Sequence, residues 1–327
     1  MKELIERFSG QLRDAVRIAR ESRLTPAAKP FSNVLISGLG GSGIGGTIIS
    51  ELSAHTAGIP VTVSKGYFIP AFVGPGTLFI ASSYSGNTEE TLACVDQALA
   101  TGAHVVCITS GGKMAEIARE KKLDLILIPG GNPPRACLGY SLTQLIHVFE
   151  THGLLPAGSL ARVETSASLL DAEEPAIVAL AKDIAARLFG KTPVIYSTSG
   201  NEGIAIRFRQ QINENSKMLC WHQVIPEMNH NELVGWPSGT DQIAVVLFRD
   251  HDEFERNNYR IEINRAVFAK YTPHILDVYS KGANAIEKAI YLVHLGDWVS
   301  WFLAEKNGVD ATEVKVIDFL KSELAKK

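Results

Sequence analysis

The sequence is poor in cysteine. A chain of 327 residues contains four cysteines, which are Cys94, Cys107, Cys137 and Cys220. They are scattered, and no two of them have C-x-x-C spacing. Disulfide frameworks and zinc knuckles use closely spaced cysteines. We therefore expect reduced thiols, as in a cytoplasmic protein.

Long apolar runs and an excess of one charge are also missing. The longest apolar stretches, such as Ile243–Phe248, are strand-sized, whereas a membrane helix needs about 20 residues. The N-terminus carries charges every few positions, unlike a signal peptide. The net charge of −3 provides no basic field for nucleic acid or anionic lipid. The sequence thus predicts a soluble, cytoplasmic protein with no membrane or nucleic-acid partner.

The chain has a globular composition, with 46% hydrophobic and 20% charged residues, and its length suits two domains. In the first half, strand-like segments alternate with helix-like ones. The predicted strands are Asn33–Ser37, Pro60–Ser64, Thr77–Ser82, His104–Thr109 and Leu123–Ile128. This alternation favours a doubly wound, mainly parallel sheet with helices on both faces.

A similar pattern restarts in the second half. Residues from Pro156 to about Glu173 are rich in alanine, serine and glycine and have little strand signal, so the junction is predicted near residues 150–160. Further strands are predicted at Pro193–Ser197, Gln242–Arg249 and His274–Val278. Apolar spacing predicts helices from Met1 to about Arg23, over Ala285–Asn307 and over Val314–Leu324. We predict two diverged α/β domains, residues 1–153 and 154–327.

A glycine-rich loop follows the first predicted strand. Gly38, Gly40 and Gly43 form G-x-G-x-x-G between a strand and a helix, which is the pattern of a dinucleotide site. The second strand, however, ends near Lys65 without an acidic residue for a ribose hydroxyl, and the loop lacks the lysine of a nucleoside triphosphate site. Two other interpretations of this loop stay open. It could be a dinucleotide site, or a turn whose glycines only permit close packing of strand and helix.

A hydroxyl-rich loop follows the third predicted strand. Ser83-Tyr-Ser-Gly-Asn-Thr88 offers three serine and threonine hydroxyl groups at the start of a predicted helix, Glu89–Ala100. The positive end of a helix favours an anion, and Thr88 suits the N-cap position. Ser42 of the glycine loop faces the same crevice if the first and third strands are neighbours. The two loops together predict a site for a phosphate monoester.

Residues suited to proton transfer cluster in the second half. An aldose–ketose interconversion needs a carboxylate base, a histidine or lysine to open the sugar ring, and a cation for the enediolate. Glu214, His230, Arg135 and a C-terminal lysine can fill these roles, and Glu202 is the rival base. A zinc site is disfavoured, because the candidate ligands lack a known ligand spacing; they are His222, Glu227, His230 and Glu232. We expect no metal and no other cofactor.

At these residues the sequence resembles sugar isomerase (SIS) domains, specifically the metal-independent bifunctional phosphoglucose/phosphomannose isomerases of archaea and bacteria. The matching strings are Gly38-Leu-Gly-Gly-Ser-Gly43, Ser83-Tyr-Ser-Gly-Asn-Thr-Glu-Glu-Thr91, Pro134-Arg-Ala136, Asn213-Glu-Asn-Ser-Lys217 and Asn229-His-Asn-Glu232. The first two strings occur in SIS domains generally. The last three, with sixteen residues from Glu214 to His230, are more specific. The resemblance covers about residues 30–325.

The resemblance implies a role for each matching residue. Glu214 would carry the proton between C1 and C2, Arg135 would stabilise the enediolate, and His230 would open the ring from the neighbouring subunit of a homodimer. The implied phosphate-binding residues are Gly41, Ser42, Ser83, Ser85 and Thr88. A lysine of the last helix is expected near the ring oxygen, and Lys321 fits best, with Lys315 as the alternative.

The implied activity interconverts glucose 6-phosphate, mannose 6-phosphate or both with fructose 6-phosphate, so a hexose 6-phosphate is the expected partner. Two other function classes stay open. A sugar-phosphate sensor would share the loops without turnover, but such sensors usually carry a fused output domain, and we expect no room for one before residue 30. An aminosugar-phosphate isomerase would need free ammonia, since we expect no preceding glutaminase domain.

Overall fold

Two parallel β-sheets flanked by helices form the computed structural model, which describes residues 1–324 and 326. The first sheet contains β1 (Asn33–Ser37), β2 (Val61–Ser64), β3 (Thr77–Ser82), β4 (His104–Thr109) and β5 (Asp124–Leu127). The second contains β6 (Thr192–Thr198), β7 (Trp221–Ile225), β8 (Ile243–Arg249) and β9 (Ile275–Tyr279). The predicted fold class, two mainly parallel α/β sheets, is confirmed.

The helices surround both sheets. They are α1 (Lys2–Glu6), α2 (Phe8–Glu21), α3 (Gly40–Leu52), α4 (Glu89–Ala100), α5 (Gly112–Lys121), α6 (Leu138–Thr151), α7 (Ser159–Leu188), α8 (Glu202–Ser216), α9 (Glu255–Phe268), α10 (Ala285–Asn307) and α11 (Lys315–Leu324). The single N-terminal helix predicted from the sequence is broken at Arg7, where the backbone leaves helical geometry with φ −88° and ψ 7°. The buried apolar face of α2 then packs against α6 and α7.

The order of the first sheet creates a crevice beside β1. Its strands lie in the order β2-β1-β3-β4-β5, and all of the pairs are parallel. The chain therefore winds in opposite directions on the two sides of β1, which opens a ligand crevice at the carboxyl ends of β1 and β3. Ser37 of β1 lies opposite Ala81 of β3. The two loops predicted to bind phosphate follow these neighbouring strands.

The second sheet has the order β7-β6-β8-β9 and is also parallel. Its edge strand, β7, was not predicted from the sequence. Only Ile225 of this strand is fully buried, and its centre carries His222 and Gln223. An edge strand can form from so polar a segment because its pairing with β6 supplies the hydrogen bonds without deep burial.

The segment with little strand signal, from Pro156 to about Glu173, is largely helical. α7 is 30 residues long and begins at Ser159. Its small and aliphatic residues recur at helical spacing, and the buried ones include Val163, Ala167 and Leu170. Small side chains let α7 pack closely on α10, the apolar helix that the sequence did predict. Among the described residues, no helix combines the length and apolar character needed to cross a membrane.

One hydrophobic core joins the two sheets. It contains Ile36 and Ile80 from the first sheet together with Ile195 and Val246 from the second. α3 and α8, which follow β1 and β6, pack against each other within this core. The division into domains 1–153 and 154–327 stays a proposal; the chain passes between the halves in the segment from Thr151 to Ser159.

Candidate active site

Three glycines in and just after the loop that follows β1 lie close to neighbouring backbone atoms. A Cβ on Gly38 would lie 2.6 Å from the carbonyl oxygen of Ser82, and one on Gly43 would lie 2.3 Å from the carbonyl oxygen of Gly38. A Cβ on Gly41 would lie 2.9 Å from the backbone nitrogen of Arg135. These glycines therefore have a packing role, and the last contact places the N-terminus of α3 directly against Arg135.

Two hydroxyl-bearing loops meet in the crevice between β1 and β3. The Ser42 hydroxyl oxygen accepts a hydrogen bond of 2.9 Å from the backbone N–H of Tyr84, which joins the loops directly. The hydroxyl oxygens of Ser83 and Thr88 lie 2.8 Å apart. Ser42 and Ser83 are buried, whereas Ser85 is exposed. Three of the five residues predicted to bind phosphate, Ser42, Ser83 and Thr88, thus lie where the loops meet. Gly41 lies against Arg135, and Ser85 is on the outer side.

Thr88 precedes α4 at the predicted N-cap position, but its side chain makes no capping hydrogen bond. The predicted N-cap position is therefore confirmed, while the Thr88 hydroxyl bonds Ser83 rather than the helix. The first N–H groups of a helix without such a cap have no intrahelical acceptor. They and the positive end of the helix dipole favour an anion at this point.

Arg135 is a buried cation held by its whole guanidinium group. It lies in the 3₁₀ turn Pro134–Ala136 and is 3% exposed. Its Nε donates to Asn215 Oδ1 at 2.7 Å, and its Nη2 donates to the carbonyl oxygens of Ala311 and Thr312 at 2.7 and 3.0 Å. Burial lowers the pKa of Arg135, and the charge of Glu214 opposes that change. The cation is therefore fixed in orientation with one carboxylate beside it.

Glu214 is that carboxylate. Its Oε2 lies 3.5 Å from Arg135 Nη1, and its side chain is 27% exposed, so it remains open to a ligand. Lys217 ends α8 in the left-handed conformation, with φ 57°, and its Nζ donates to the carbonyl oxygens of Glu214 and Glu313 at 2.5 and 2.6 Å. The structure thus brings the predicted base and the predicted cation together.

A buried network that the sequence analysis missed supports this pair. Arg207 Nη2 donates to the Arg135 carbonyl oxygen at 2.6 Å and to both oxygens of Asp297 at 2.9 and 3.1 Å. Gln211 Nε2 donates to Asp297 Oδ1 at 2.7 Å. Asp297 lies within the apolar helix α10, and an acidic residue in such a helix is a sequence signal for a buried cationic partner.

The rival base lies elsewhere. Glu202 begins α8, whereas Glu214 is in its last turn, and twelve residues of helix correspond to about 18 Å. Its carboxylate is 44% exposed and lies 3.7 Å from the His222 ring. Glu202 therefore does not join the Arg135–Glu214 pair.

His230 is also apart from this pair within one chain, whereas the two candidate lysines lie on α11, which follows the segment that Arg135 and Lys217 bond. His230 is exposed in a 3₁₀ turn, Glu227–His230, that follows the carboxyl end of β7. Glu214 lies at the opposite, amino end of the same sheet, because α8 returns the chain in the direction opposite to its parallel strands. Lys315 and Lys321 are exposed at the start and in the last turn of α11.

Two of the four residues weighed as zinc ligands are engaged by other side chains. Glu232 accepts a hydrogen bond from the Tyr196 hydroxyl, and Glu227 accepts one from Asn231 at 2.9 Å. Over residues 1–324 and 326, no group of three or more histidine, cysteine and acidic side chains is placed to hold a metal ion.

Two parallel sheets flanked by helices, with hydroxyl-bearing loops at a switch point, place this chain in the class of α/β proteins built from SIS domains. Residues 31–146 match the SIS domain family, and residues 177–324 match the bacterial phospho-glucose isomerase C-terminal SIS domain. The C-terminal domain of glucosamine-fructose-6-phosphate aminotransferase from Francisella tularensis has the same fold, with a TM-score of 0.76, 15% identity and coverage of 96% of this chain and 98% of that one.

Curated relatives show to which family of SIS-domain proteins the chain belongs. A bifunctional phosphoglucose/phosphomannose isomerase from Caldicellulosiruptor bescii is 38% identical over 99% of both chains. A D-glucosamine-6-phosphate 4-epimerase from Sulfolobus acidocaldarius is 33% identical over 76% of this chain and 78% of its own. The chain belongs to the bifunctional phosphoglucose/phosphomannose isomerase family.

Proposed function

We propose that this protein is an aldose–ketose isomerase that interconverts glucose 6-phosphate and mannose 6-phosphate with fructose 6-phosphate. The observation that carries the proposal is the Arg135–Glu214 pair, a fixed cation 3.5 Å from a partly exposed carboxylate. Gly41 places this pair next to the N-terminus of α3. One substrate can therefore reach the hydroxyl loops with its phosphate and the pair with its reacting carbons.

The phosphate end of the substrate is bound by the two loops in this proposal. Ser83 and Thr88, whose oxygens are 2.8 Å apart, donate to phosphate oxygens. Ser42 accepts from Tyr84 N–H, which leaves its own hydroxyl proton free to donate. Gly41 and Ser85 complete the set with a backbone N–H at the start of α3 and an exposed hydroxyl. These hydrogen-bond donors carry no fixed positive charge, so they can bind the phosphate and still release the product.

The chemistry is a proton transfer between neighbouring carbons. The Glu214 carboxylate removes the C2 proton of the open-chain aldose, and the electron pair moves to form the C1–C2 double bond of the enediolate. Arg135 stabilises the negative oxygen that develops at C1. The proton held by Glu214 then adds to C1. The proton of the C2 hydroxyl passes through solvent to the negative C1 oxygen, so that C1 carries a hydroxyl group and C2 becomes the ketose carbonyl. The same steps run in reverse from fructose 6-phosphate.

Ring opening is assigned to His230 and a lysine of α11, and we place His230 on the partner subunit of a homodimer. Within one chain His230 and Glu214 lie at opposite ends of the second sheet, so a single chain does not unite them. α11 supports the dimer, because several of its apolar side chains are exposed in a single chain. Val316, Phe319 and Leu320 are 81%, 65% and 57% exposed. A second copy would bury this face.

The test is turnover of fructose 6-phosphate by the purified protein, with glucose 6-phosphate and mannose 6-phosphate both quantified. Replacing the base, Glu214→Gln, should lower kcat by about 10²–10⁴-fold and leave sugar-phosphate binding nearly intact. Glu202→Gln is the matched control, because it removes a carboxylate from the other end of the same helix. It should keep turnover within about threefold, and chelator should have no effect.

Other outcomes would identify other functions. Tight binding of the sugar phosphates without turnover by the wild-type protein would mean a sensor. Turnover of glucosamine 6-phosphate, with fructose 6-phosphate left unchanged, would favour an aminosugar activity such as that named for the Sulfolobus acidocaldarius relative. Normal turnover by Glu214→Gln would refute the assignment of the base.

A further inference from the structure

α3 and α8 run antiparallel and are connected at both ends. At the site end, Gly41 of α3 touches the backbone of Arg135, whose side chain bonds Asn215 near the end of α8. At the far end, Glu51 of α3 bonds Gly203 at the start of α8. One helix starts at the phosphate loops and the other ends at the proposed base. Their relative position therefore sets the distance between phosphate and base.

The far connection is a carboxylate on a helix N-terminus. Both oxygens of Glu51 accept from the backbone N–H of Gly203, at 2.8 and 3.1 Å. Asn201 occupies the N-cap position of α8 but makes no side-chain capping bond, so Glu51 caps this helix from another part of the chain. A Cβ on Gly203 would lie 3.0 Å from Ile48 Cγ1, so glycine permits this approach.

We propose that Glu51 is a positioning residue, whose charged carboxylate anchors the start of α8 on α3 and thereby holds Glu214 at its working distance from the bound phosphate. Glu51 acts through α8 and does not contact the reacting atoms. The expected effect on catalysis rests on the proposed isomerase function. The anchor itself does not, because it is a contact between two helices.

The surroundings of Glu51 make the anchor sensitive to pH. Glu51 lines a cavity of about 510 Å³. The titratable groups that face it are His55 in the turn after α3, Glu202 on α8, Asp250, Asp252 and Glu253 after β8, and Lys288 on α10. Burial raises the pKa of Glu51 to about 7; the hydrogen bond from Gly203 opposes this change, and the charge of Glu202 adds to it. The carboxylate is therefore charged above about pH 7 and protonated below it.

The experiment compares kcat and KM for fructose 6-phosphate from pH 6 to 9 in the wild type and in Glu51→Gln. The wild-type kcat should rise through an inflection near pH 7. Glu51→Gln should lack this inflection and have a kcat about three- to tenfold lower at pH 8.5, with KM within twofold, because the phosphate loops are untouched. At pH 6 the two proteins should have equal kcat, since both then carry a neutral group.

Asp252→Asn is the matched control, because it removes a negative charge from the same cavity and leaves the hydrogen bond to Gly203 in place. It should keep the inflection near pH 7. A merely structural role for Glu51 would change the melting temperature and leave the inflection in the kcat profile. An unchanged inflection in Glu51→Gln would therefore overturn the proposal.

A second measurement separates this inference from the proposed function. If the wild type turns over no sugar phosphate, the function is wrong, and hydrogen exchange still tests the anchor. At pH 8, the amides in the first turn of α8 should exchange roughly tenfold faster in Glu51→Ala, which removes the acceptor, than in the wild type. Equal exchange in the two proteins would overturn the anchor.

Discussion

Glu51→Gln should stabilise the protein at alkaline pH while it slows the enzyme. The pKa of Glu51 rises from its ordinary value of 4.5 to about 7 on folding. Between these values the folded chain binds more protons than the unfolded chain, so stability decreases as pH increases. Each pKa unit corresponds to about 1.36 kcal/mol, so above pH 7 the charged carboxylate costs about 3 kcal/mol relative to its protonated form.

Glutamine avoids this cost because it stays neutral. Melting temperatures of Glu51→Gln and the wild type should coincide below pH 4.5 and separate as pH rises towards 7, with the variant more stable at pH 8. An unfolding entropy of about 2.1 cal/mol/K per residue, over 327 residues, converts about 3 kcal/mol into roughly 4 °C. Differential scanning calorimetry in a series of buffers measures this difference in melting temperature. The contributions of the other carboxylates cancel, because both proteins contain them.

Asp252→Asn provides the comparison within the same cavity. Hydrogen bonds with Asp250 and Lys288 lower the pKa of Asp252 to about 2, so it is charged in both folded and unfolded chains from pH 5 to 8. The difference in melting temperature between Asp252→Asn and the wild type should therefore stay constant from pH 5 to 8. If Glu51→Gln behaved in the same way, or were less stable than the wild type at pH 8, the cost assigned to the buried charge would be refuted.

Two further predictions concern the proposed active site. Mixing the inactive variants His230→Ala and Glu214→Gln should restore about a quarter of wild-type activity. Half of the dimers are then mixed, and one of the two sites in each mixed dimer is intact. No recovery of activity would place His230 in the site of its own chain. Ser83→Ala should raise KM about tenfold or more by removing one donor to the phosphate dianion. The control Ser50→Ala, whose hydroxyl bonds its own helix at Thr47, should leave KM unchanged, and an equal KM in both variants would exclude Ser83 from the phosphate site.

The sequence predicted the meeting of the two loops because local rules determine it. Parallel strands joined by helices place their carboxyl ends at one edge, and the Ser42–Tyr84 hydrogen bond is the direct result. Glu214 and Arg135 were recognisable because each lies in a polar or proline-bounded string at the end of an element. Residues of this kind have little alternative use in a core.

The remaining partners depend on contacts that no local pattern encodes. Asn215 lies 80 positions from Arg135, and the Ala311 carbonyl lies 176 positions away. A backbone carbonyl carries no side-chain signal, so its role appears only when the chain is folded. β7 was missed for a related reason, since its pairing with β6 outweighs its polar sequence.

The Arg135–Glu214 pair exists only when both halves and the C-terminal segment are assembled. Arg135 comes from the first half, Glu214 from the second, and the carbonyl oxygens of Ala311 and Thr312 hold the guanidinium from beyond α10. Lys217 bonds the same segment at Glu313, so the turn that carries the base is fixed by the segment just before α11. Neither half alone can orient the cation against the carboxylate. In the proposed mechanism the two SIS domains therefore act as one unit, in which the shared core between the sheets fixes the proposed phosphate loops and the proposed base relative to each other.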